Sequence, residues 1–197
     1  MEKDTKTHII TVALQLFEEK GLNKVSLNEV IKASGLSKGA FYHHFKDKKE
    51  LTSTCIHYYW EDMSNNVVKL PIQDMSLKDA LSMILQQFDE AIKRINEGND
   101  NFFEMYLNML YSIRNDEKIL SMSRNYFKKF KQKLSDCIKK EIERGIIRED
   151  VDPENTALLI TTCTEGHGLL SSANIYDSPN QKLEIIYDQI YKSITTK

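Results

Sequence analysis

Glycine, proline and cysteine are all scarce in this sequence. Seven glycines and three prolines among 197 residues are less than half of the roughly 12% that average usage would give, which disfavours sandwiches, barrels and propellers built on many tight turns. The cysteines, Cys55, Cys137 and Cys163, are odd in number, widely spaced and set among apolar residues. That pattern is typical of reduced core positions rather than of a disulfide framework. The sequence therefore predicts an all-α chain without disulfides.

Long hydrophobic runs and an excess of charge of one sign are also missing. No segment approaches the roughly 18 apolar residues of a membrane-spanning helix, and the first residues lack the apolar core of a signal peptide. We therefore expect a soluble cytoplasmic protein. The 27 basic and 29 acidic residues give a formal net charge of -2, so nothing global demands a polyanionic partner. The basic excess is N-terminal, because residues 1–50 hold nine lysines and seven acidic residues.

Helix start and stop signals divide the N-terminal segment into short helices. Apolar residues recur at helical spacing from Thr5 to Lys20, and Gly21 can then adopt the left-handed conformation of a C-cap. Ser26 and Glu29 have the spacing of a capping box, in which a hydroxyl and a carboxylate satisfy the free backbone donors of a helix start. Gly35 ends this second helix about nine residues later. Two helices joined by a short connection are therefore expected before residue 36.

A third and a fourth helix follow closely. Ser37 is positioned to cap a helix from Lys38 to about His44, and Asp47 to Glu50 has the form of a further capping box. A short helix, a turn that holds Gly35 and another short helix are the parts of a helix-turn-helix, whose second helix enters the DNA major groove.

The charge distribution supports this interpretation. The segment from Lys32 to Lys49 contains five lysines and one acidic residue, with Tyr42, His43 and His44 interleaved, and phosphate contact needs such donors. On charge alone, a solvated lysine-rich loop between two helices is an equal alternative. The caps and the position of Gly35 favour DNA binding.

The third helix has two distinct sides. Phe41 and Phe45 are four residues apart and should face the core. Gly39 and Ala40 are small, which lets the start of the helix approach base edges or phosphates closely. The outward side would then hold Lys38, Gly39, Tyr42 and His43.

The run from Ser26 to Leu51, SLNEVIKASGLSKGAFYHHFKDKKEL, closely resembles the signature of the TetR (tetracycline-repressor) family. The resemblance covers residues 5–55 strongly, and the segment from Gly145 to Pro153 is similar to the family's usual entry to its penultimate helix. It implies a homodimeric transcriptional regulator, usually a repressor, whose C-terminal domain binds a small molecule and thereby releases DNA. By position, the resemblance implies that the major groove is contacted by Lys38, Gly39, Ala40 and His43. It implies phosphate contacts from Tyr42, His44 and Lys48. It also places Ser26 and Asn28 near the DNA backbone.

Beyond residue 50, apolar residues keep a helical period to the end of the chain. The pattern predicts helices over 77–95, 102–114, 117–144 and 153–174 and a last helix with apolar residues from 183 to 194, which makes about nine helices in all. We expect a three-helix helix-turn-helix DNA-binding domain at residues 1–47. A helical ligand-binding and dimerisation domain is expected at residues 48–197.

The last two helices are the predicted dimer surface. Small residues in the penultimate helix permit close helix approach, and two such helix pairs around a dyad would form a four-helix bundle. A protein that reads the major groove also needs two copies to reach half-sites about one DNA turn apart. The alternative is that both apolar stripes pack only inside one copy. The predicted interface residues are Gly166, Leu169, Leu183, Ile186, Tyr187 and Ile190.

Effector contacts are harder to assign, because most aromatic and methionine side chains should be plain core. Trp60, Tyr106 and Tyr126 combine ring area with a polar tip, and His167 is a further candidate for the pocket. Few fixed charges fall on the inward stripes, so the effector should be largely apolar. Cys163 lies four residues before His167, as two metal ligands might, but no third ligand is apparent. We therefore expect no metal and no cofactor.

Catalytic motifs are absent. The sequence has no glycine-rich phosphate loop, no G-x-S-x-G elbow and no H-E-x-x-H pair, so an enzyme is not expected. Two alternatives stay open: an architectural DNA-binding protein without a ligand, and, remotely, an all-helical enzyme with an accidental helix-turn-helix. A small molecule that changes operator affinity would exclude the first, and turnover would reveal the second.

Overall fold

The computed structural model describes residues 2–96, 101–173, 175–176 and 179–196. Over these residues the chain forms nine α-helices, one 3-10 turn at Ile72–Asp74 and no β-strand, which confirms the predicted all-α fold. None of the helices in these ranges is both long enough and apolar enough to span a bilayer. The helices are α1 (Glu2–Lys20), α2 (Leu27–Ser34), α3 (Lys38–Tyr42), α4 (Lys48–Lys69), α5 (Leu77–Asn96), α6 (Asn101–Asn115), α7 (Glu117–Glu143), α8 (Pro153–Ser172) and α9 (Pro179–Ile194).

The chain divides into two compact units. The first comprises Met1–Asn65 and Ile95–Ser123, and the second comprises Asn66–Arg94 and Arg124–Lys197. The first unit therefore extends beyond the predicted DNA-binding domain of residues 1–47. It does so because α6 packs on α1 and the first part of α4 contributes to the same core.

The core of the first unit joins the helices predicted for the helix-turn-helix. Ile9 and Phe17 of α1, Phe41 and Phe45 around α3, and Leu51 of α4 are essentially inaccessible to solvent. Burying a side chain of this size stabilises a fold by roughly 1.5 to 3 kcal/mol. The expectation that Phe41 and Phe45 face inward is confirmed, and their rings lie 5.9 Å apart.

The second unit has its own core, formed by α5, α7, α8 and α9. Leu77 of α5, Leu134 and Ile138 of α7, Ile160 of α8 and Leu183 of α9 are fully buried. These residues belong to the apolar periods seen in the sequence, so the helical reading of this half is confirmed where the structure describes it.

The connection from α7 to α8 follows the sequence signals. Gly145 adopts a left-handed conformation (φ 72°) and ends α7, as expected for a C-cap glycine. Asp152 caps α8, its carboxylate accepting the N–H groups of Glu154 and Asn155 at 2.8 and 3.0 Å, and Pro153 is the first residue of the helix.

Several helix boundaries differ from the predictions by one to three residues. α1 begins at Glu2 rather than at Thr5, and α8 ends at Ser172 rather than at residue 174. The apolar period locates the buried face of a helix, whereas its last turn depends on backbone hydrogen bonds that the period does not report.

Candidate functional site

The second helix begins with the predicted capping box. The Ser26 hydroxyl accepts the Glu29 N–H at 3.3 Å, and the Ser26 N–H donates to the Glu29 carboxylate at 2.8 Å. The Ser26 hydroxyl also donates to the Glu29 carboxylate at 2.9 Å. The bond from the Ser26 N–H, the Lys20 ammonium 3.0 Å away and this hydroxyl bond lower the pKa of Glu29 to about 2. The carboxylate therefore remains charged at any ordinary pH, and the start of α2 is held in place.

The turn between α2 and α3 needs a glycine. Gly35 has φ 68° and ψ 10°, the left-handed region, and its N–H donates to the Lys32 carbonyl. The chain then passes through Leu36 to Ser37, whose hydroxyl accepts the Ala40 N–H at 3.2 Å. A three-residue turn thus connects two capped helices, as the helix-turn-helix interpretation predicted.

The outward side of α3 is exposed as expected. Phe41 is its buried anchor, and a Cβ added to Gly39 would meet no atom within 4 Å, so the first turn of the helix is open to an approaching surface. The helix ends at Tyr42, earlier than the predicted end near His44, because His43 and His44 continue it only as a hydrogen-bonded turn. The exposed residues are Lys38, Gly39, Ala40, Tyr42 and His43.

The remaining residues predicted at DNA lie around α3 in the same unit. Ser26 and Asn28 are exposed, and the Ser26 hydroxyl serves the capping box. His44 is half-buried, with its ring 5.2 Å from that of His43. Lys48 is also half-buried and donates from Nζ to the Asn23 carbonyl at 3.2 Å.

The start of α4 differs in detail from the predicted capping box. The Asp47 carboxylate accepts the Glu50 N–H at 2.7 Å, as expected. The Glu50 carboxylate, however, accepts the backbone N–H of Lys46 at 3.0 Å instead of that of Asp47. α4 still begins at Lys48, directly after the Asp47 cap, so only the return bond of the box differs from the prediction.

Sequence reasoning missed a cavity of about 890 Å³ beside the end of α3. Its wall includes Lys6 of α1, His43 and His44, and the acidic pair Glu61 and Asp62 of α4. The two carboxylates make this cavity unsuitable for a phosphate. Side chains from three helices line it, and no short motif could have indicated that.

Sequence reasoning also missed a contact between α4 and the start of α7. Oδ1 of Asp116 accepts the N–H groups of Lys118 and Ile119 at 2.9 and 3.1 Å and so caps α7. Oδ2 of the same carboxylate lies 2.9 Å from Nε2 of His57. The bond to His57 is the main reason that the pKa of Asp116 is lowered. One carboxylate thus links two helices of the first unit.

The proposed effector contacts occupy different surroundings. Trp60 is buried on α4 in the first unit. Tyr126, in the second unit, is half-buried and stacks on Phe130. The side chain of Tyr106 lies outside the described part of the chain.

His167, also in the second unit, is buried among aromatic rings. Its ring centroid lies 5.3 Å from that of Phe88 and 5.0 Å from that of Tyr176, and the Tyr176 ring stacks on it. Gly168 is close to the same Phe88 ring. Side chains from α5, α8 and the segment after α8 therefore surround His167.

The predicted dimer residues divide into two groups. Gly166 and Leu169 of α8 are exposed and Ile186 of α9 is half-buried. Leu183, Tyr187 and Ile190, in contrast, are buried in the core of the same copy, and the Tyr187 hydroxyl lies 2.6 Å from that of Thr164. The apolar face of α9 at these three residues is already covered within one chain, which is the alternative that the sequence left open.

Other apolar residues on α8 and α9 are accessible. Leu158 is 52% exposed and Ile185 is 56% exposed, and Leu159, Leu169 and Leu170 are exposed as well. The two leucine pairs of α8 are 11 residues apart, about three helical turns, so they share one side of the helix. That spacing was visible in the sequence, but which of these residues stay exposed was not.

The chain matches known proteins mainly at its N-terminus. Residues 9–54 match the family model described as bacterial regulatory proteins, tetR family. The HTH-type transcriptional regulator AcrR of Shigella flexneri is 41% identical over 71 residues, which are 36% of this chain and 31% of that protein. The curated relatives AcrR, YerO and YuxN are matched over only about a third of their own length.

Solved structures match over nearly the whole chain. A tetR-family transcriptional regulator from Cytophaga hutchinsonii has a TM-score of 0.74 at 20% identity, covering 100% of this chain and 97% of that one. SmeT, the repressor of a multidrug efflux pump of Stenotrophomonas maltophilia, has a TM-score of 0.64 at 18% identity, covering 98% and 91%. These likenesses establish the common fold. Residues 9–54 of this chain are therefore a helix-turn-helix segment similar to that of the tetR family of bacterial regulatory proteins, and the whole chain shares the fold of solved proteins described as tetR-family regulators.

Proposed function

We propose that this protein is a cytoplasmic, homodimeric transcriptional repressor that binds a pseudo-palindromic DNA operator and is released by a small, largely apolar effector. The observation that carries the proposal is the helix-turn-helix itself. α2 and α3 are capped and joined at a left-handed Gly35, and the outward side of α3 is exposed next to a local excess of lysine. A helix presented in this way suits the major groove.

The DNA contacts divide into base readers and phosphate binders. Lys38 lies at the start of α3 and can donate to the O6 and N7 acceptors of guanine. Gly39, Ala40 and His43 share its exposed side. Tyr42, His44 and Lys48 would bind phosphates, and Ser26 and Asn28 would lie near the DNA backbone at the start of α2. The phosphate contacts set the affinity and its salt dependence, and the base contacts set the sequence preference.

Dimerisation is proposed through the exposed apolar residues of α8 and α9. Leu158, Leu159, Leu169 and Leu170 present apolar surface along three turns of α8, and Ile185 does so on α9. Several large apolar side chains exposed on one side of a helix suit an interaction site. A two-fold dimer then brings two copies of α3 to half-sites about one DNA turn apart.

Release by an effector is proposed as a shift between two conformations. An effector that binds the released conformation more tightly lowers operator affinity in proportion to that difference. One solved structure of this fold is a complex of SmeT with triclosan. The proposed contacts in this chain are Trp60, Tyr106, Tyr126 and His167. α4 carries both Trp60 and the DNA-proximal Lys48, so it is the element expected to move.

Selection from a library of randomised duplexes tests the proposal. The protein should enrich a pseudo-palindrome with half-sites about one DNA turn apart, and the Lys38→Ala variant should lose that preference. Lys78→Ala, which changes an exposed lysine of α5 in the second unit, is the matched control and should select the same sequence. Failure of the unaltered protein to enrich any sequence would contradict the proposed function.

A further inference from the structure

A groove of about 500 Å³ runs between α4 and α6, and all of its lining residues belong to the first unit. We call it the α4–α6 groove. Its apolar wall is formed by Ile56 of α4, the ring of Tyr111 of α6 and Ile119 of α7, with hydroxyl and amide side chains between them. The volume is within the range of roughly 300 to 1,000 Å³ that small-molecule sites occupy.

The charged groups of the α4–α6 groove differ in how far they are engaged. Asp116 is the one lining carboxylate among the described residues, and its two oxygens already accept three hydrogen bonds, from His57 and from the start of α7. Lys48 and Lys49, at the start of α4, line the groove as well. Lys48 has one hydrogen bond, to the Asn23 carbonyl, whereas an ammonium has three donors. The groove therefore combines apolar walls with cationic donors.

An organic anion matches this combination. Its carboxylate would meet the ammonium groups of Lys48 and Lys49. Its hydrocarbon part would lie mainly against the exposed ring of Tyr111, because Ile56 and Ile119 are themselves buried. An organic cation would meet two like charges, and a neutral molecule of the same shape would gain only the apolar contacts. Charge complementarity thus selects one class of ligand.

We propose that the α4–α6 groove binds a small amphipathic organic anion of the aromatic carboxylate type, and that this anion competes with operator DNA for Lys48. The second part rests on the proposed function, in which Lys48 binds a DNA phosphate. An ammonium drawn toward a carboxylate in the groove is withdrawn from the phosphate. Because the coupling is reciprocal, the operator must weaken anion binding by the same factor as the anion weakens operator binding.

Calorimetry on the full-length protein without DNA tests the site, with 1-naphthoate as the probe. Ser112→Phe places a ring in the groove, and Lys48→Gln with Lys49→Gln removes both cations from the surface. Each variant should weaken 1-naphthoate binding at least ten-fold. Ser121→Phe, at an exposed serine of α7 that does not line the groove, is the matched control and should bind as the unaltered protein does. Equal affinity for 1-naphthalenemethanol, the neutral analogue, would overturn the proposed anion site.

Failure of the Ser112→Phe protein to fold would show in its circular dichroism. The lysine double variant, in which the glutamine at position 48 keeps a side-chain N–H donor for the Asn23 carbonyl, then decides the site alone. Unchanged 1-naphthoate affinity in that variant, or in a folded Ser112→Phe protein, overturns the proposal.

Titration of the selected operator duplex tests the competition. At a free concentration ten times its Kd for the protein, 1-naphthoate should raise the apparent operator Kd. The increase should be about ten-fold for each protomer from which 1-naphthoate must dissociate before DNA can bind. Ser112→Phe should bind the operator normally and ignore 1-naphthoate. Simultaneous binding without mutual effect would overturn the competition. If the protein bound no DNA at all, the proposed function and the competition would both fail, and the calorimetry would still decide whether the anion site exists.

Discussion

Lys38 has the least ambiguous position among the proposed DNA contacts. It is the first residue of α3, it is exposed, and it follows directly on the Ser37 cap that fixes the direction of the helix. A lysine at the start of a groove helix can read a guanine or bind a phosphate, and the two roles have different consequences.

If Lys38 reads a base, its removal should lower the operator affinity by an amount that depends on the operator sequence. Lys38→Ala should cost roughly 1 to 3 kcal/mol per half-site and relax the preference at one symmetric position of the operator. Fluorescence anisotropy with a set of operator variants measures this loss. An equal loss on every variant would instead make Lys38 a phosphate contact.

A second residue with a testable consequence is Glu141, which is fully buried on α7 in the second unit. Neither of its carboxylate oxygens has a hydrogen-bond partner within bonding geometry among the described residues. Burial raises the pKa of Glu141 and outweighs the nearby backbone N–H of Leu77 and the charge of Arg144, which both lower it, while Asp79 adds a smaller raising effect. The raised pKa means that the folded state favours the protonated form.

This raised pKa predicts the pH dependence of stability. Glu141 contributes stability below its unfolded pKa, about 4.3, and that contribution is lost as the pH rises through the higher pKa of the folded state. Glu141→Gln should therefore raise the free energy of unfolding at pH 7 by about 1 kcal/mol and change it little at pH 4. Urea unfolding at both pH values measures this, with exposed Glu143→Gln as the control. An equal effect at the two pH values would contradict the account.

At the scale of elements, local signals were sufficient for the helix-turn-helix. The box of Ser26 and Glu29, the turn at Gly35 and the cap at Ser37 each depend on residues three or four positions apart, so the sequence alone predicts them. The bond between His57 and Asp116 joins residues 59 positions apart, and no local pattern reports such a pair. The start of α4 directly after the Asp47 cap was predicted as well, and only the return bond from the Glu50 carboxylate goes to the Lys46 N–H instead of the Asp47 N–H.

Alanine substitution at the two glycines of the helix-turn-helix should have opposite effects on stability. Gly35 has a positive φ, so Gly35→Ala should destabilise the fold by roughly 1 to 2 kcal/mol although space for the methyl group is open. Gly39 lies in an ordinary helical turn with open space around it, so Gly39→Ala should stabilise the fold by about 0.5 to 1 kcal/mol.

The operator affinity of Gly39→Ala distinguishes an effect on DNA binding from an effect on stability. If the backbone of α3 approaches DNA closely, Gly39→Ala should weaken operator binding while raising the urea midpoint. A variant that is more stable and binds the operator equally well would show that the start of α3 does not approach DNA so closely.

For the whole molecule, the sequence predicted the fold class, but it could not tell which apolar residues of the last two helices are covered within one copy. An apolar helical stripe has the same period whether it packs inside one chain or against another. Leu183, Tyr187 and Ile190 of α9 are covered within one copy, and the exposed leucines of α8 are not. Only the tertiary packing distinguishes these two cases, because burial depends on the neighbours of a helix and not on its own sequence.

If the exposed leucines of α8 form the dimer interface, charged substitutions at them should change the oligomeric state. Leu158→Glu with Leu169→Glu should give folded monomers in sedimentation velocity and abolish cooperative operator binding, because both side chains are exposed in one copy and would be desolvated in a dimer. Val68→Glu, at an exposed apolar residue of α4, is the control and should remain dimeric. A double variant that sediments as a dimer would place the interface elsewhere. Ile190→Glu, in contrast, should destabilise the fold itself, since Ile190 is buried.

The salt dependence of operator binding tests the central claim, that α3 and the start of α4 bind DNA, most directly. The measurement is the operator Kd of the unaltered protein and of Lys48→Ala over a series of salt concentrations. The unaltered protein should show a steep log-log slope, and the variant should bind all duplexes more weakly, with a slope flatter by roughly 1.8 because two phosphate contacts are lost per dimer. An affinity that hardly depends on salt, or an identical slope for the two proteins, would contradict the account.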